Sequence, residues 1–377
     1  MAILYLTEQH AWVGRDGECL VVHIPLDEKS IETPRTNKKA ERKMTVPLLK
    51  VEEVVVLGEI TLTTPALAAL LEAQVGVTYL SRHGRYLGRL LPPVTKNSLL
   101  RVAQHRAYSD PAQRLRLARP FVLGKLRNMR TVLMRYGREH PDALVTSAAE
   151  SLKRCIGAAG DCELKLVDVA IEDSEVDRDP EMEPGEAALG RMHGLGPLLG
   201  CEGAGSAAYF GVFARLIRTS WPHGFSKRAR RPPTDPVNAL LSYGYTILGA
   251  QVAGTVAGVG LDPYVGYLHS SRYGKPALAL DLLEEFRPVI VDAVVLGLLN
   301  NRQLVQHDFV QELNSYRMQD AARRLFLEKF EERMQEVVLH PLFGYKVSYR
   351  RCIELQARLL GKALTGEVAH YIPFLVR

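Results

Sequence analysis

Cysteine is scarce in this chain and follows no recognisable pattern. The five cysteines, at positions 19, 155, 162, 201 and 352, form no C-x-x-C pair and leave an odd count. Disulfide frameworks and cysteine-ligated zinc sites both depend on closely spaced or paired cysteines. The sequence therefore predicts free thiols in a reducing compartment, and neither a zinc nor a disulfide framework.

Long apolar runs are also missing. The longest of them, such as residues 293 to 299, are too short to cross a bilayer, which takes about 20 apolar residues in a helix. The first ten residues, MAILYLTEQH, lack the positive segment, apolar run and cleavage site of a signal peptide. We therefore expect no membrane span and a cytoplasmic location.

The rest of the composition is that of a globular protein, and its pattern changes once along the chain. With 377 residues, 47% of them hydrophobic and 24% charged, two domains are expected. Short apolar and β-branched runs dominate residues 1 to 93, apart from a helix predicted to begin with Thr64 as its N-cap and end at Val75. After Pro92-Pro93 and a linker at 94 to 98, helical periodicity takes over. The predicted fold class is α+β, a small mostly-β N-terminal domain followed by a larger all-helical domain.

Charge is unevenly distributed along the chain. The net charge is +6, yet residues 101 to 140 alone hold ten Lys or Arg against two acids, a pattern that suits a polyanionic partner or, equally, a solvated helix face. Residues 27 to 45 are also basic and are predicted to form a loop, either a solvated tip or a DNA-contacting arm. Residues 161 to 186 hold eleven acids and two bases and are typical of a solvated or disordered loop.

Residues 266 to 288 carry the clearest chemical pattern. A polar run containing His269 precedes Pro276, predicted as the first residue of a helix on which Asp281 and Glu284 share one face. Two acids and an imidazole can form a metal site. Taken singly, His269 could equally be structural and the two acids a solvated face, while Glu202, at the start of an earlier helix, could simply favour the helix dipole.

These residues lie within a set of three motifs that follow one another along the chain. They are E-G-x-x-S-A-A-Y-F at 202 to 210, R-R-P-P-x-D-P-V-N-A-L-L-S-Y-G-Y at 230 to 245, and His269 with L-A-L-D-L-x-E-E-F-R-P at 278 to 288. In these motifs, and in S-R-x-G-R-Y-L-G-R-L at 81 to 90, the chain resembles the CRISPR-associated Cas-one (Cas1) endonucleases and integrases over almost its whole length. The loops at 27 to 45 and 161 to 186 are longer than the resemblance leads us to expect.

The resemblance implies a metal-dependent enzyme that inserts short foreign DNA fragments into a CRISPR array during spacer acquisition. It implies Mg²⁺ or Mn²⁺ held by Glu202, His269 and Glu284, with Asp281 one turn away and ligating directly or through water. Two carboxylates and an imidazole suit either ion better than zinc. The implied DNA contacts are Arg287, then Lys275 and Arg272, with Arg228, Arg230 and Arg231 holding the DNA backbone.

The implied partners are double-stranded and branched DNA, a second copy of the chain paired through the β-rich domain, and the small ferredoxin-like Cas-two (Cas2) protein. The helical domain would then be the catalytic and DNA-binding one. Two alternatives stay open: a catalytically silent DNA-binding scaffold of the same fold, and an unrelated metallohydrolase with a small substrate. The joint presence of Glu202, His269, Asp281 and Glu284 favours the enzyme.

Overall fold

The structure, a computed structural model, forms two compact units, Met1–Thr95 and Lys96–Arg377. It describes residues 2–25, 41–82, 84–92, 97–163, 195–219, 225–229, 232–269 and 274–376. The first unit is rich in strands and the second is mostly helical, which confirms the predicted fold class. Among the described residues, no helix combines the length and apolarity needed to cross a membrane.

The described part of the first unit contains two four-stranded sheets, one α-helix and a short 3-10 helix (Leu48–Lys50). One sheet has the strand order β1-β5-β7-β8 and the other β4-β3-β2-β6. Helix α1 (Thr64–Glu72) precedes β7, and both sheets contribute side chains to one apolar core that includes Val13, Leu20, Val54 and Leu70. The strands are β1 (Ala2–Leu6), β2 (Trp12–Asp16), β3 (Cys19–Pro25), β4 (Glu41–Pro47), β5 (Val51–Leu57), β6 (Thr61–Leu62), β7 (Gly76–Leu80) and β8 (Tyr86–Leu90).

Two local predictions in this unit were wrong in detail. The hydroxyl of Thr63, and not that of Thr64, caps α1 by accepting from the backbone N–H of Ala66 at 3.4 Å, and the helix ends at Glu72. Part of the predicted basic loop is strand β4, whose residues pair antiparallel with β3 and place Lys43 opposite His23. Because β4 is exposed on both faces, with only Val46 partly buried, its polar sequence resembles that of a loop. Residues 26 to 40 lie outside the described part of the chain.

Nine helices, separated in part by short hairpins, form the described portion of the second unit. The two longest of these helices begin with an Asp N-cap followed by Pro, and the pair Asp235-Pro236 predicts such a start from the sequence alone. The helices are α2 (Ser98–Ser109), α3 (Pro111–Glu139), α4 (Ala143–Gly160), α5 (Gly196–Val212), α6 (Pro236–Val259), α7 (Ala277–Phe286), α8 (Ala293–Asn300), α9 (Asp320–Gln335) and α10 (Tyr349–Leu364).

The sequence predicts an all-helical second unit, but the structure also contains short strands there. The amphipathic pattern from Asp308 to Leu339 predicts one helix, but this stretch forms a hairpin, helix α9 and a further strand. The hairpin joins β9 (Phe309–Glu312) to β10 (Ser315–Met318). A second hairpin joins β11 (Val337–Leu339) to β12 (Lys346–Ser348). Both lie at the ends of helices, so the helical core that carries the candidate site is unaffected.

Candidate metal centre and nucleic-acid interface

Helix α7 carries three buried acids side by side. Asp281, Glu284 and Glu285 are 0%, 2% and 0% exposed, so the alternative of a solvated acidic face is wrong. Pro276 is the N-cap of α7 and not its first residue. Buried carboxylates must be neutralised or bonded, since an isolated one costs several kcal/mol. The hydrogen-bond and ion-pair partners of each acid therefore indicate its role in the site.

The carboxylate of Asp281 binds the loop that carries His269. Its carboxylate accepts from the backbone N–H groups of Tyr267 at 2.5 Å, Leu268 at 3.0 Å and His269 at 2.9 Å. The Oδ1 atom also lies 2.8 Å from Nδ1 of His269. These four bonds engage both oxygens, so Asp281 orients the imidazole with its Nε2 directed away from the carboxylate.

The loop before His269 is fixed by two helices from earlier in the chain. The side-chain amide of Gln104 in α2 donates to the carbonyls of Asp262 at 2.8 Å and Val265 at 2.9 Å. Nε of the buried Arg114 in α3 donates to the carbonyl of Tyr267 at 2.9 Å. A Cβ on Gly266 would lie 2.6 Å from a backbone carbon at the start of α7, so only glycine permits this close approach.

Glu202 and Glu284 meet across a lysine that the sequence analysis did not single out. Nζ of Lys125, in α3, lies 2.8 Å from Oε2 of Glu284 and also contacts Oε1 of Glu202 in α5. The side chains of Lys125 and Glu284 are 3% and 2% exposed, whereas that of Glu202 is 23% exposed. The hydroxyl of Ser206 donates to the same Glu202 oxygen at 3.0 Å. One ammonium thus neutralises carboxylates from two helices, and Glu202 forms the open side.

Glu284 lies in a strongly positive environment. Its Oε1 atom is 2.7 Å from Nη1 of Arg287 and 3.8 Å from Nε2 of His269. Burial opposes ionisation, but the charges of Arg287, Lys125 and His269 lower the pKa of Glu284 to about 2. The carboxylate is therefore ionised at neutral pH and available to a cation.

The three predicted metal ligands are neighbours in the structure. Within the described ranges, no group of three or more His, Cys, Asp or Glu is arranged as a preformed metal site. The ammonium of Lys125 lies between the two carboxylates instead. The donor set itself fits a hard divalent cation, because two carboxylates and one imidazole suit Mg²⁺ or Mn²⁺, and a positive charge already lies between the two acids.

The family of the chain follows from a comparison with known proteins. Residues 4–332, which include Glu202, His269 and Glu284, match the family described as CRISPR associated protein Cas1. The chain belongs to the Cas1 family. The resemblance seen in the sequence motifs is confirmed.

Relatives and solved structures agree with this assignment. The CRISPR-associated endonuclease Cas1 3 of Thermus thermophilus is 37% identical over 379 aligned positions, which cover 100% of this chain and 98% of the relative. A casposase bound to an integration product has a TM-score of 0.75 at 24% identity, covering 99% of this chain and 93% of the other. A Cas6-RT-Cas1–Cas2 complex has a TM-score of 0.70 at 24% identity, covering 99% of this chain and 36% of the other. At these identities the structures bear on fold alone.

In this Cas1 protein, two of the predicted DNA-binding arginines share one aromatic ring. The guanidinium carbons of Arg287 and Arg228 lie 4.9 Å and 5.4 Å from the ring centre of Tyr245. The hydroxyl of Tyr245 donates to buried Asp292 at 2.5 Å, and Tyr209, on the helix of Glu202, donates to the other oxygen at 2.9 Å. Asp292 thereby ties the arginines to the helix that carries Glu202.

The remaining predicted DNA contacts are less defined. Lys275 lies just before α7 and is partly buried. Arg272, Arg230 and Arg231 lie outside the described residues. The basic stretch at 101 to 140 is only partly a surface, because Arg114 and Lys125 are 4% and 3% exposed and bind protein groups. A charge count along the sequence cannot separate such buried cations from solvated ones.

Proposed function

We propose that Glu202, His269 and Glu284 hold Mg²⁺ or Mn²⁺, and that the chain uses this centre to cut and join DNA during CRISPR adaptation. The nuclease and integrase role in CRISPR adaptation goes with membership of the Cas1 family. The observation that carries the metal site is the meeting of Glu202 and Glu284, from two helices, at one buried cation beside an imidazole.

In the joining reaction, the 3′-hydroxyl of a short DNA fragment attacks a phosphorus atom of the repeat. A new P–O bond forms, the bond to the leaving 3′-oxygen breaks, and the hydroxyl proton is transferred to that oxygen through solvent. In the cutting reaction, water is the nucleophile. A bound divalent ion would lower the pKa of the nucleophile and neutralise the charge that develops on the phosphoryl oxygens.

The residues of the chain provide the geometry for this reaction. Glu284, ionised because Arg287 and Lys125 are beside it, supplies a carboxylate at neutral pH. Asp281 holds the His269 ring by its Nδ1 side and leaves Nε2 directed toward Glu284. No Ser-His-Asp or Cys-His arrangement is required, since the nucleophile comes from the substrate.

DNA backbone binding is assigned to the cations near this centre. Arg287 is the first candidate, because its Nη1 contacts Glu284 while its Nε is buried without a hydrogen-bond partner within the described ranges. Arg228, Lys275, Arg272, Arg230 and Arg231 are the further candidates. Contacts of this kind to phosphates give affinity and position without reading sequence.

Two protein partners complete the proposal. The β-rich domain at 1 to 93, joined by the linker at 94 to 98, pairs two copies of the chain, and a Cas2 protein binds the pair. A Cas1–Cas2 complex among the similar folds supports the second partner. The pairing of two copies is supported by β8, which lies at the edge of its sheet with Leu87 56% exposed. This exposed edge offers a surface for a second copy.

A branched DNA substrate tests the catalytic proposal. Purified chain is given Mg²⁺, Mn²⁺ or chelator, and strand cutting and joining are followed on a denaturing gel beside DNA binding. His269→Ala and Glu284→Gln should bind DNA and leave it unreacted, whereas the exposed control His370→Ala should react like wild type. If wild type and variants all bind and none reacts, even with Cas2 added, the silent scaffold is the correct alternative.

A further inference from the structure

Lys125 is the least expected member of the site. It lies in α3, 77 residues before Glu202 in sequence, and its side chain is 3% exposed. Its Nζ contacts one carboxylate oxygen from each of Glu202 and Glu284. A buried ammonium between two acids occupies the space in which both carboxylates could bind one metal ion.

We propose that Lys125 is the resident counter-ion of the metal-free centre, and that divalent metal binding displaces its ammonium from between Glu202 and Glu284. This inference rests on the proposed function, because it takes those two acids as metal ligands. It adds that metal affinity in this chain is set by competition with an internal cation. Lys125 therefore affects how tightly the metal ion binds but does not itself coordinate it.

Charge and space both require this displacement. A divalent ion bound to both carboxylates would lie within a few ångströms of an ammonium that contacts the same two oxygens, and like charges so close repel strongly where water is excluded. Retaining both cations would also leave the ammonium without its two acceptors, which is unfavourable for a buried charge. Lysine suits the role because its stem is flexible and its ammonium is compact.

The structure also indicates where the ammonium can go. Glu284 is 2% exposed and closes the inner side of the centre, whereas Glu202 is 23% exposed. Ser206, one turn after Glu202, already donates to the Glu202 oxygen that Lys125 contacts. That oxygen keeps a hydrogen bond when the ammonium leaves, so movement toward the open side around Glu202 leaves this acid bonded.

Metal affinity is the first test, and it needs no DNA. Mn²⁺ binding is measured by calorimetry or electron paramagnetic resonance for wild type, Lys125→Met and Lys153→Met, the last being an exposed lysine in α4. Removing the competing cation should tighten Mn²⁺ binding on the order of tenfold, while Lys153→Met leaves it unchanged. Weaker or unchanged binding in Lys125→Met would overturn the inference, because it would make Lys125 an organiser of the ligands or a bystander.

Thermal unfolding separates this role from a purely structural one. Lys125→Met should lower the Tm of the metal-free protein, because two buried acids lose their counter-ion, and Mn²⁺ should raise its Tm by more than it raises that of wild type. A lowered Tm with the wild-type metal-induced rise would contradict displacement. The comparison works because ligand binding to the folded state raises Tm by an amount that grows with the logarithm of the affinity.

A measurement on wild type keeps the inference testable if Lys125→Met does not fold. An amine-reactive reagent is applied with and without saturating Mn²⁺, and modification of Lys125 is read by mass spectrometry, with Lys153 as the reference. Lys125 should react more when metal is bound, and equal reactivity would overturn the inference alone. Failure of wild type to bind Mn²⁺ would instead overturn the proposed metal centre itself.

Discussion

At the scale of single residues, Asp281 is a buried acid that holds both the loop and the ring of His269. Its two oxygens accept three backbone N–H groups and face Nδ1 of His269. Such outer partners fix the orientation of a ligating imidazole and strengthen it as a donor. We therefore expect the proposed metal centre to depend on Asp281 even though its oxygens are already occupied.

Asp281→Asn should slow strand joining by ~10–100-fold with little change in DNA binding. The variant keeps the size of the side chain but replaces one acceptor oxygen with an NH2 group, which cannot accept from the loop N–H groups. The matched control is Asp161→Asn, at the exposed C-cap of α4. Joining is timed on branched DNA with Mn²⁺, and a wild-type rate for Asp281→Asn would refute the orienting role.

Asp292 gives a prediction about pH. Burial raises its pKa from 3.8 to about 6, although hydrogen bonds from Tyr245 and Tyr209 lower it in part. A folded-state pKa above the unfolded value means that the folded chain binds the extra proton, so this contribution to stability is present below pH 3.8 and lost as pH rises through 6.

Asp292→Asn should remove that pH dependence. The free energy of unfolding of wild type, relative to the variant, should fall by about 3 kcal/mol across this range, at 1.36 kcal/mol per pKa unit. Urea denaturation of both chains, followed by circular dichroism at several pH values, gives the difference. A difference that stays constant with pH would show that the pKa of Asp292 is the same in the folded and unfolded chain.

The sequence predicted much of the site but not all of its contacts. The spacing of Asp281 and Glu284 placed both on one buried face, and the motifs brought Glu202 and His269 to the same centre. Lys125 was missed because it is one of ten basic residues between 101 and 140, and nothing in its spacing distinguishes it from exposed neighbours. Only packing of α3 against α5 and α7 makes it the partner of both acids.

At the scale of elements, the approach of α5 to α3 positions Glu202 beside Lys125. A Cβ on Gly205 would lie 2.3 Å from a methyl carbon of Leu126 and 3.3 Å from one of Leu152. Both leucines are fully buried, so neither can move without repacking. Glycine at 205 therefore permits the helix contact on which the centre depends.

Gly205→Ala should destabilise the chain by about 1–3 kcal/mol through overpacking. Gly203→Ala is the matched control on the same helix, because its Cβ would meet nothing within 4 Å, and it should stabilise the chain by up to ~1 kcal/mol. Urea midpoints measured by circular dichroism distinguish the two. Equal midpoints for both variants would contradict the described packing of α5 on α3.

Element boundaries were predictable where a capping residue marks them. Asp235 with Pro236 gave the start of α6 correctly. The prediction of one helix from Asp308 to Leu339 was wrong because the polar and apolar residues of this stretch fit an amphipathic helix as well as a hairpin. The hairpin turn depends on a positive φ at Leu313. Leucine rarely adopts a positive φ, so a leucine at this position does not indicate a turn.

At the scale of the whole molecule, the first unit has an exposed apolar strand at one sheet edge. Leu87 on β8 is 56% exposed, and β8 pairs with β7 alone within the sheet. Exposed apolar edges invite pairing with another chain. This surface supports the proposed pairing of two copies through the β-rich unit.

Leu87→Lys should convert a dimer into a monomer, since a buried charge at a sheet edge opposes pairing. Leu49→Lys is the control, because Leu49 is 88% exposed but lies in a turn outside the strands. Light scattering coupled to size exclusion gives the mass of each. A dimeric Leu87→Lys chain would place the pairing surface elsewhere.

The central claim is that Glu202, His269 and Glu284 form one metal centre, and Mn²⁺ bound to the full chain tests it most directly. Pulsed electron paramagnetic resonance detects the nitrogen of a coordinated imidazole. We expect one imidazole nitrogen signal in wild type, its loss in His269→Ala, and its persistence in the exposed control His370→Ala. Mn²⁺ bound without an imidazole nitrogen, or a signal that survives His269→Ala, would contradict the claim.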